Sequence, residues 1–175
     1  MSARSTAPAD ATRKRASPGD LRRRGDPATA GFKLADSPLY RIVRTAGRYT
    51  IDMENALKAS GVDLQSWRAL MIVDETKSSS VSSIAERSVT RLSTMTRVVQ
   101  RLEKKNYVKL SRGKLDARTT EVELTARGKT FLESVRGIAS QIYKLALEGF
   151  SATEIATLNS MMQRIFSNLS ATNVE

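Results

Sequence analysis

The chain has 175 residues, enough for one domain with a substantial core, and no apolar run in it approaches the length of a membrane span. It carries 29 lysines and arginines against 18 aspartates and glutamates, a net charge of +11 at neutral pH, which is the electrostatic footprint of a polyanion binder. Having no cysteine and no histidine, it lacks the side chains for disulfides, Cys/His zinc sites and histidine bases. Paired carboxylates in an apolar setting, a phosphate-cradling glycine loop and a Ser-x-x-Lys arrangement are also missing, so neither catalysis nor a cofactor is expected.

Residues 1–36 are rich in Ala, Ser, Thr, Pro and Arg, with basic clusters at Arg13-Lys14-Arg15 and Arg22-Arg23-Arg24 and almost no large apolar side chain before Phe32. Such a segment buries too little surface to offset its chain entropy, which predicts a disordered basic arm. Asp10, Asp20 and Asp26 and the lack of an apolar face argue against a transit peptide, and the chain is expected in the cytoplasm, associated with the nucleoid and away from membranes.

From Ser37 the period becomes helical. Ser37-Pro38 is a cap followed by a first-turn proline, and Leu39, Ile42, Ala46, Tyr49, Met53 and Leu57 form one stripe up to a stop at Gly61. A second helix is predicted over about Leu64 to Asp74, a short third one around Val81, Ile84 and Ala85, and a fourth over about Ser93 to Lys105. Asn106, which tolerates the left-handed conformation, ends that helix. A hairpin follows, with strands at Tyr107 to Leu110 and around Val122 and Leu124, and a turn carrying Arg112, Gly113, Lys114 and the pair Asp116 and Arg118. Thr125 caps a long helix through Phe131, Leu132, Val135, Ile138, Ile142 and Leu145, stopped by Gly149. Ser151-Ala-Thr-Glu154 has capping-box spacing and opens a last helix with Ile155, Leu158, Met161 or Met162, Ile165 and Leu169 on one face. The fold class expected is mainly α with a small β-hairpin.

Projected at about 100° per residue, Leu92, Met95, Val98, Val99 and Leu102 share one arc of the fourth helix, and Ser93, Thr94, Arg97, Gln100, Arg101 and Lys104 share the other. A solvated helix face normally mixes signs, whereas this one holds no acid until Glu103 at its margin. Arginine pairs bidentately with guanine and glutamine with adenine, so the face suits a DNA groove, and the short helix and turn before it complete a helix-turn-helix. With this helix in a major groove, Arg112, Lys114 and Arg118 would lie over the neighbouring minor groove.

At these residues the chain resembles the MarR family of bacterial winged helix-turn-helix transcriptional regulators. The resemblance rests on Leu64-Gln-Ser-Trp67-Arg68-Ala-Leu70, on Ser93-Thr-Met-Thr-Arg97-Val-Val-Gln-Arg101-Leu102, and above all on Asp116-Ala-Arg118 followed by Val122-Glu-Leu124-Thr125-Ala-Arg-Gly128. It covers about Ser37 to Leu169, with Asn106-Tyr107 where many members have Gly-Leu, and the N-terminal arm is not part of the family's shared core. It implies a MarR-type domain over 37–175, with dimerisation helices at about 37–60 and 126–170 and a winged helix-turn-helix at about 64–125. It further implies a homodimer on a pseudo-palindromic double-stranded DNA operator. Arg118 would enter the minor groove and Asp116 would hold it in place.

The resemblance also implies a repressor released by a small aromatic carboxylate or its coenzyme A thioester. Tyr40, Arg44, Arg48, Trp67 and Arg68 are the candidates for that effector, since arginine pairs with a carboxylate and Tyr or Trp stacks on a ring. The plainer account is that Trp67 packs and that Arg41, Arg44 and Arg48 form a solvated stripe. Two other functions compete: a constitutive DNA-organising protein without effector, and an RNA binder. The latter lacks aromatic platforms, as only 5% of the residues are aromatic.

Overall fold

The computed structural model describes residues 17–113 and 119–171, and the chain divides into two compact units, 1–49 and 50–175. In the first unit, helix α1 (Pro18–Arg24) starts on Ser17, whose hydroxyl accepts the Asp20 N–H at 3.2 Å, with Pro18 in its first turn. Within the segment that composition predicts as a basic arm, residues 17–36 are joined by a polar clasp rather than by apolar burial. Arg24 Nη2 lies 2.5 Å from Asp36 Oδ2 and its Nη1 3.3 Å from Asp20 Oδ2, while the Lys33 N–H donates to the Arg24 carbonyl at 2.8 Å. A 3₁₀ turn at Leu34–Asp36 then leads to helix α2 (Pro38–Leu57), and the buried Ser37 accepts the Tyr40 N–H at its hydroxyl. Residues 1–16 lie outside the described residues.

In the second unit, Met53 and Leu57 at the end of α2 are fully buried, and a 3₁₀ turn (Lys58–Ser60) closes on Gly61 at φ 71°, the left-handed stop expected there. Asp63 caps α3 (Leu64–Thr76) by accepting the Ser66 N–H at 2.7 Å. Helix α3 is the central spine, burying Leu64, Trp67, Leu70 and Val73. Strand β1 (Ser79–Ser80), α4 (Val81–Arg87) and α5 (Leu92–Lys104) follow. Strands β2 (Val108–Arg112) and β3 (Thr120–Leu124) form the expected hairpin, in a sheet of order β1-β3-β2 that is antiparallel throughout.

Strand β1 is an addition to the elements that periodicity predicts. Two serines carry no alternation to read, yet Ser79 pairs with Val122 and Ser80 with Glu121, and the Ser78 hydroxyl donates to Glu121 Oε2 at 2.8 Å. This bridge ties the wing to the segment just ahead of the helix-turn-helix. Across β2 and β3, Val108 faces Leu124 and Leu110 faces Val122, and the outward pair Lys109 and Glu123 closes to 2.9 Å.

Thr125 caps α6 (Ala126–Ala146) by accepting the Gly128 N–H at 2.9 Å, and donates its hydroxyl proton to the Asn106 carbonyl at 2.7 Å. Helix α6 ends at Ala146, and Gly149 follows at φ 82°. Ser151 and Glu154 form the reciprocal capping box that opens α7 (Ala152–Ser170). Within α7 no residue is buried, and Leu158, Met161, Met162, Phe166 and Leu169 all stand exposed. Among the described residues no helix is long and apolar enough to cross a membrane.

Candidate nucleic-acid interface

The candidate interface is built on α5. Met95, Val98, Val99 and Leu102 are each at most 2% exposed, and they clamp one face of the helix onto α3 and α4. Leu92, on the same arc by periodicity, is 54% exposed. On the other face Ser93, Thr94, Arg97, Gln100, Arg101 and Lys104 are all exposed, as the helical projection requires. The structure therefore brings together six of the sequence-predicted residues on one rigid surface.

Arg101 differs from its neighbours. Its Nη2 sits 2.6 Å from Asp63 Oδ2, while Asp63 Oδ1 caps α3, and Lys105 Nζ donates to the Gly61 carbonyl at 2.5 Å. The last turn of α5 is thus braced against the α2–α3 connection, and the basic side chains of that turn also favour the negative end of the helix dipole. Sequence reasoning misses Asp63 because its partner lies 38 positions away; only its capping role is local. Arg91, exposed at the N-cap of α5 without a side-chain capping bond, is a further cation beside this surface that periodicity does not mark.

The base of the wing is held rigidly. Asn106 has φ 57°, the left-handed conformation that turns α5 into β2. The Tyr107 ring stacks on Phe131 at 4.2 Å between centroids, and the Arg127 guanidinium lies 5.6 Å from the Tyr107 centroid. Exposed Arg112 ends β2, and the Gly113 N–H donates to the Thr119 carbonyl at 2.9 Å, so both strands are paired up to the turn. Lys114, Asp116 and Arg118 lie outside the described residues.

The candidate effector residues fall in both units. Tyr40 is half-buried on α2, and the exposed Arg44 guanidinium lies 6.0 Å from its ring centroid; Arg48 is exposed one turn on. Trp67 is only 6% exposed, which makes it chiefly a packing residue. Its remaining edge, with Arg68, Met71, Ile72, Arg87, Ser88 and Val89, lines an open groove of about 540 Å³. Arg87 is ion-paired with Glu75. Among the described residues no cluster of His, Cys, Asp or Glu could hold a metal ion.

A MarR family model matches residues 62–120, the span from the cap of α3 into β3. Over 144 residues, covering 82% of this chain and 86% of the relative, the chain is 33% identical to the HTH-type transcriptional repressor IacR of Pseudomonas putida. The chain belongs to the MarR family. Its MarR-type fold is shared with solved structures at low identity. One is the Escherichia coli MarR C80S mutant complexed with operator DNA, at TM-score 0.63 and 19% identity over 73% of this chain and 93% of that one. Another, at TM-score 0.68 and 16% identity over 81% of this chain and 99% of that one, is Bordetella bronchiseptica BpsR, whose DNA binding is regulated by 6-hydroxynicotinic acid. As a MarR-family protein the chain is a DNA-binding transcriptional regulator, and the relatives it matches are regulators rather than enzymes.

Proposed function

We propose that the protein is a repressor that binds a pseudo-palindromic operator as a homodimer. The observation that carries this reading is the exposed face of α5, where Ser93, Thr94, Arg97, Gln100 and Lys104 stand together on a helix anchored by four buried side chains. Arg97 and Gln100 would read bases in the major groove, and the hydroxyls near the helix start would bind phosphates or base edges. Arg112, Lys114 and Arg118 would follow the minor groove, with Asp116 orienting Arg118. Arg101 would serve mainly as a brace, since a phosphate would have to displace Asp63 to engage it. The unburied stripe of α7, together with half-buried Ile138 and Ile142 on α6, supports dimerisation through the C-terminal helices. The domain would run over 37–175, and its place would be the cytoplasm, on DNA. Selecting duplexes from a random pool with wild type and with Arg97→Ala tests the reading: the variant should relax the preferred sequence as well as weaken binding, by about 1–3 kcal/mol for a lost bidentate pair.

For the effector, the reading is a small aromatic carboxylate or its coenzyme A thioester. Support comes from the regulation of BpsR by an aromatic acid and from the groove beside the helix-turn-helix turn, where apolar Trp67, Met71 and Ile72 adjoin the cation Arg68. A thermal-shift series of hydroxylated aromatic acids and their coenzyme A esters should raise the melting temperature for at least one class, because a ligand of the folded state stabilises it. Flat melting across the series would favour the constitutive DNA-organising alternative.

A further inference from the structure

We infer that the N-terminal hook, residues 17–41, is a second DNA-binding element, one that grips phosphates without reading bases. The inference rests on the reading of the chain as a DNA-binding regulator and assigns that binding a surface outside the helix-turn-helix. Eleven cationic and four acidic residues lie in 1–49, a net +7, against eighteen and fourteen in 50–175, a net +4. Most of the chain's net charge therefore sits in the unit that carries no helix-turn-helix, and residues 17–41 hold five cations and three acids of it, a net +2.

The hook sorts its three consecutive arginines. Arg24 is turned inward, taken by Asp20 and by Asp36, whose side chain is only 9% exposed. Gly25 lets the chain close over that pair, since a Cβ there would meet the Asp36 carbonyl oxygen at 3.0 Å. Arg22 and Arg23 are exposed, and among the described residues neither has an acidic partner. Arg22 shares one open groove with exposed Arg41, and Asp26 on its rim spends a carboxylate oxygen on the Ala28 N–H at 3.0 Å. An ordinary solvated basic run would not need an almost buried ion pair to hold its direction. Here the clasp holds two neighbouring cations in the last turn of α1, which lowers the ordering cost of binding a polyanion. The guanidinium forks of Arg22 and Arg23 are suited to phosphate, which carries no sequence information.

The test uses the full chain and a fluorescent random-sequence duplex long enough for two half-sites, titrated from about 50 to about 200 mM salt. Replacing Arg22 and Arg23 together by glutamine should reduce the slope of log K against log salt by about 0.9 for each phosphate the two arginines neutralise. Affinity should fall equally on this duplex and on one selected by the wild type. A control of the same charge change on the exposed C-terminal helices, Lys144→Gln with Arg164→Gln, should leave the slope as it was. An unchanged slope in the Arg22/Arg23 variant, an equal drop in the control, or a change in sequence preference would each overturn the inference. Failure of the operator reading would show differently, as a wild type with no sequence preference, and the slope comparison would still decide the role of the hook.

Discussion

Gly128 shows how a single missing side chain ties the base of the wing to the C-terminal helices. A Cβ at this position would stand 1.9 Å from the Tyr107 carbonyl oxygen and 2.8 Å from its carbon, both backbone atoms that cannot swing away. Helix α6 can cross the start of β2 only because residue 128 is glycine, and the Thr125 cap and the Tyr107–Phe131 stack are built around that crossing. Gly128→Ala should therefore cost about 1–3 kcal/mol of stability, as overpacking does, and should loosen the wing. In the same helix a Cβ on Gly137 would meet nothing within 4 Å, so Gly137→Ala should stabilise by roughly 0.5–1 kcal/mol through helix propensity. Urea denaturation of both variants checks the pair, and equal effects would mean that the crossing has room for a methyl group. At this scale, legibility follows sequence distance. Asn106, Thr125 and the Ser151 box are readable because each acts within three or four residues. The Asp63–Arg101 brace and the Gly128 crossing are not, because their partners are set by the packing of helices distant in the chain.

Among the elements, the last helix depends on its cap. Glu154 Oε2 accepts the Ser151 N–H at 2.9 Å and the Ser151 hydroxyl at 2.8 Å, and these bonds, the backbone one first, hold its carboxyl below the ordinary glutamate range. A carboxylate depressed in the folded state stabilises above its unfolded pKa, and that contribution disappears as pH falls through the folded value. The melting-temperature difference between wild type and Glu154→Ala should accordingly be constant above about pH 5 and shrink below it. A difference that persists unchanged to about pH 3 would mean that the carboxylate does not act as a charged cap. Periodicity is enough to locate α2, α3, α5, α6 and α7, because each carries an apolar stripe. It fails for α1, ordered by an arginine–aspartate clasp, and for β1, a two-residue strand that exists only because β3 offers it an edge.

At the scale of the whole molecule, two surfaces remain to be explained by partners. One is the apolar face of α7, with Leu169 at 60% and Met161 at 54% exposure, an expensive arrangement for an isolated chain in water. The other is the basic face of α5. In the proposed function a second copy would account for the first and duplex DNA for the second, and the two would be linked, since a two-fold dimer would present two copies of α5 to two half-sites. Here the apolar stripes of the last helix and the charge of the reading helix are legible in the sequence, while the identity of the operator and effector is not, because neither is encoded in periodicity or charge.

The most direct test of this account is the stoichiometry and sequence preference of binding, measured together by sedimentation of the full chain on a duplex selected from a random pool. The account predicts two protomers per duplex, a selected sequence with two-fold symmetry, and loss of that preference on Arg97→Ala with the dimer intact. One protomer per duplex, or a preference that survives Arg97→Ala unchanged, would contradict it.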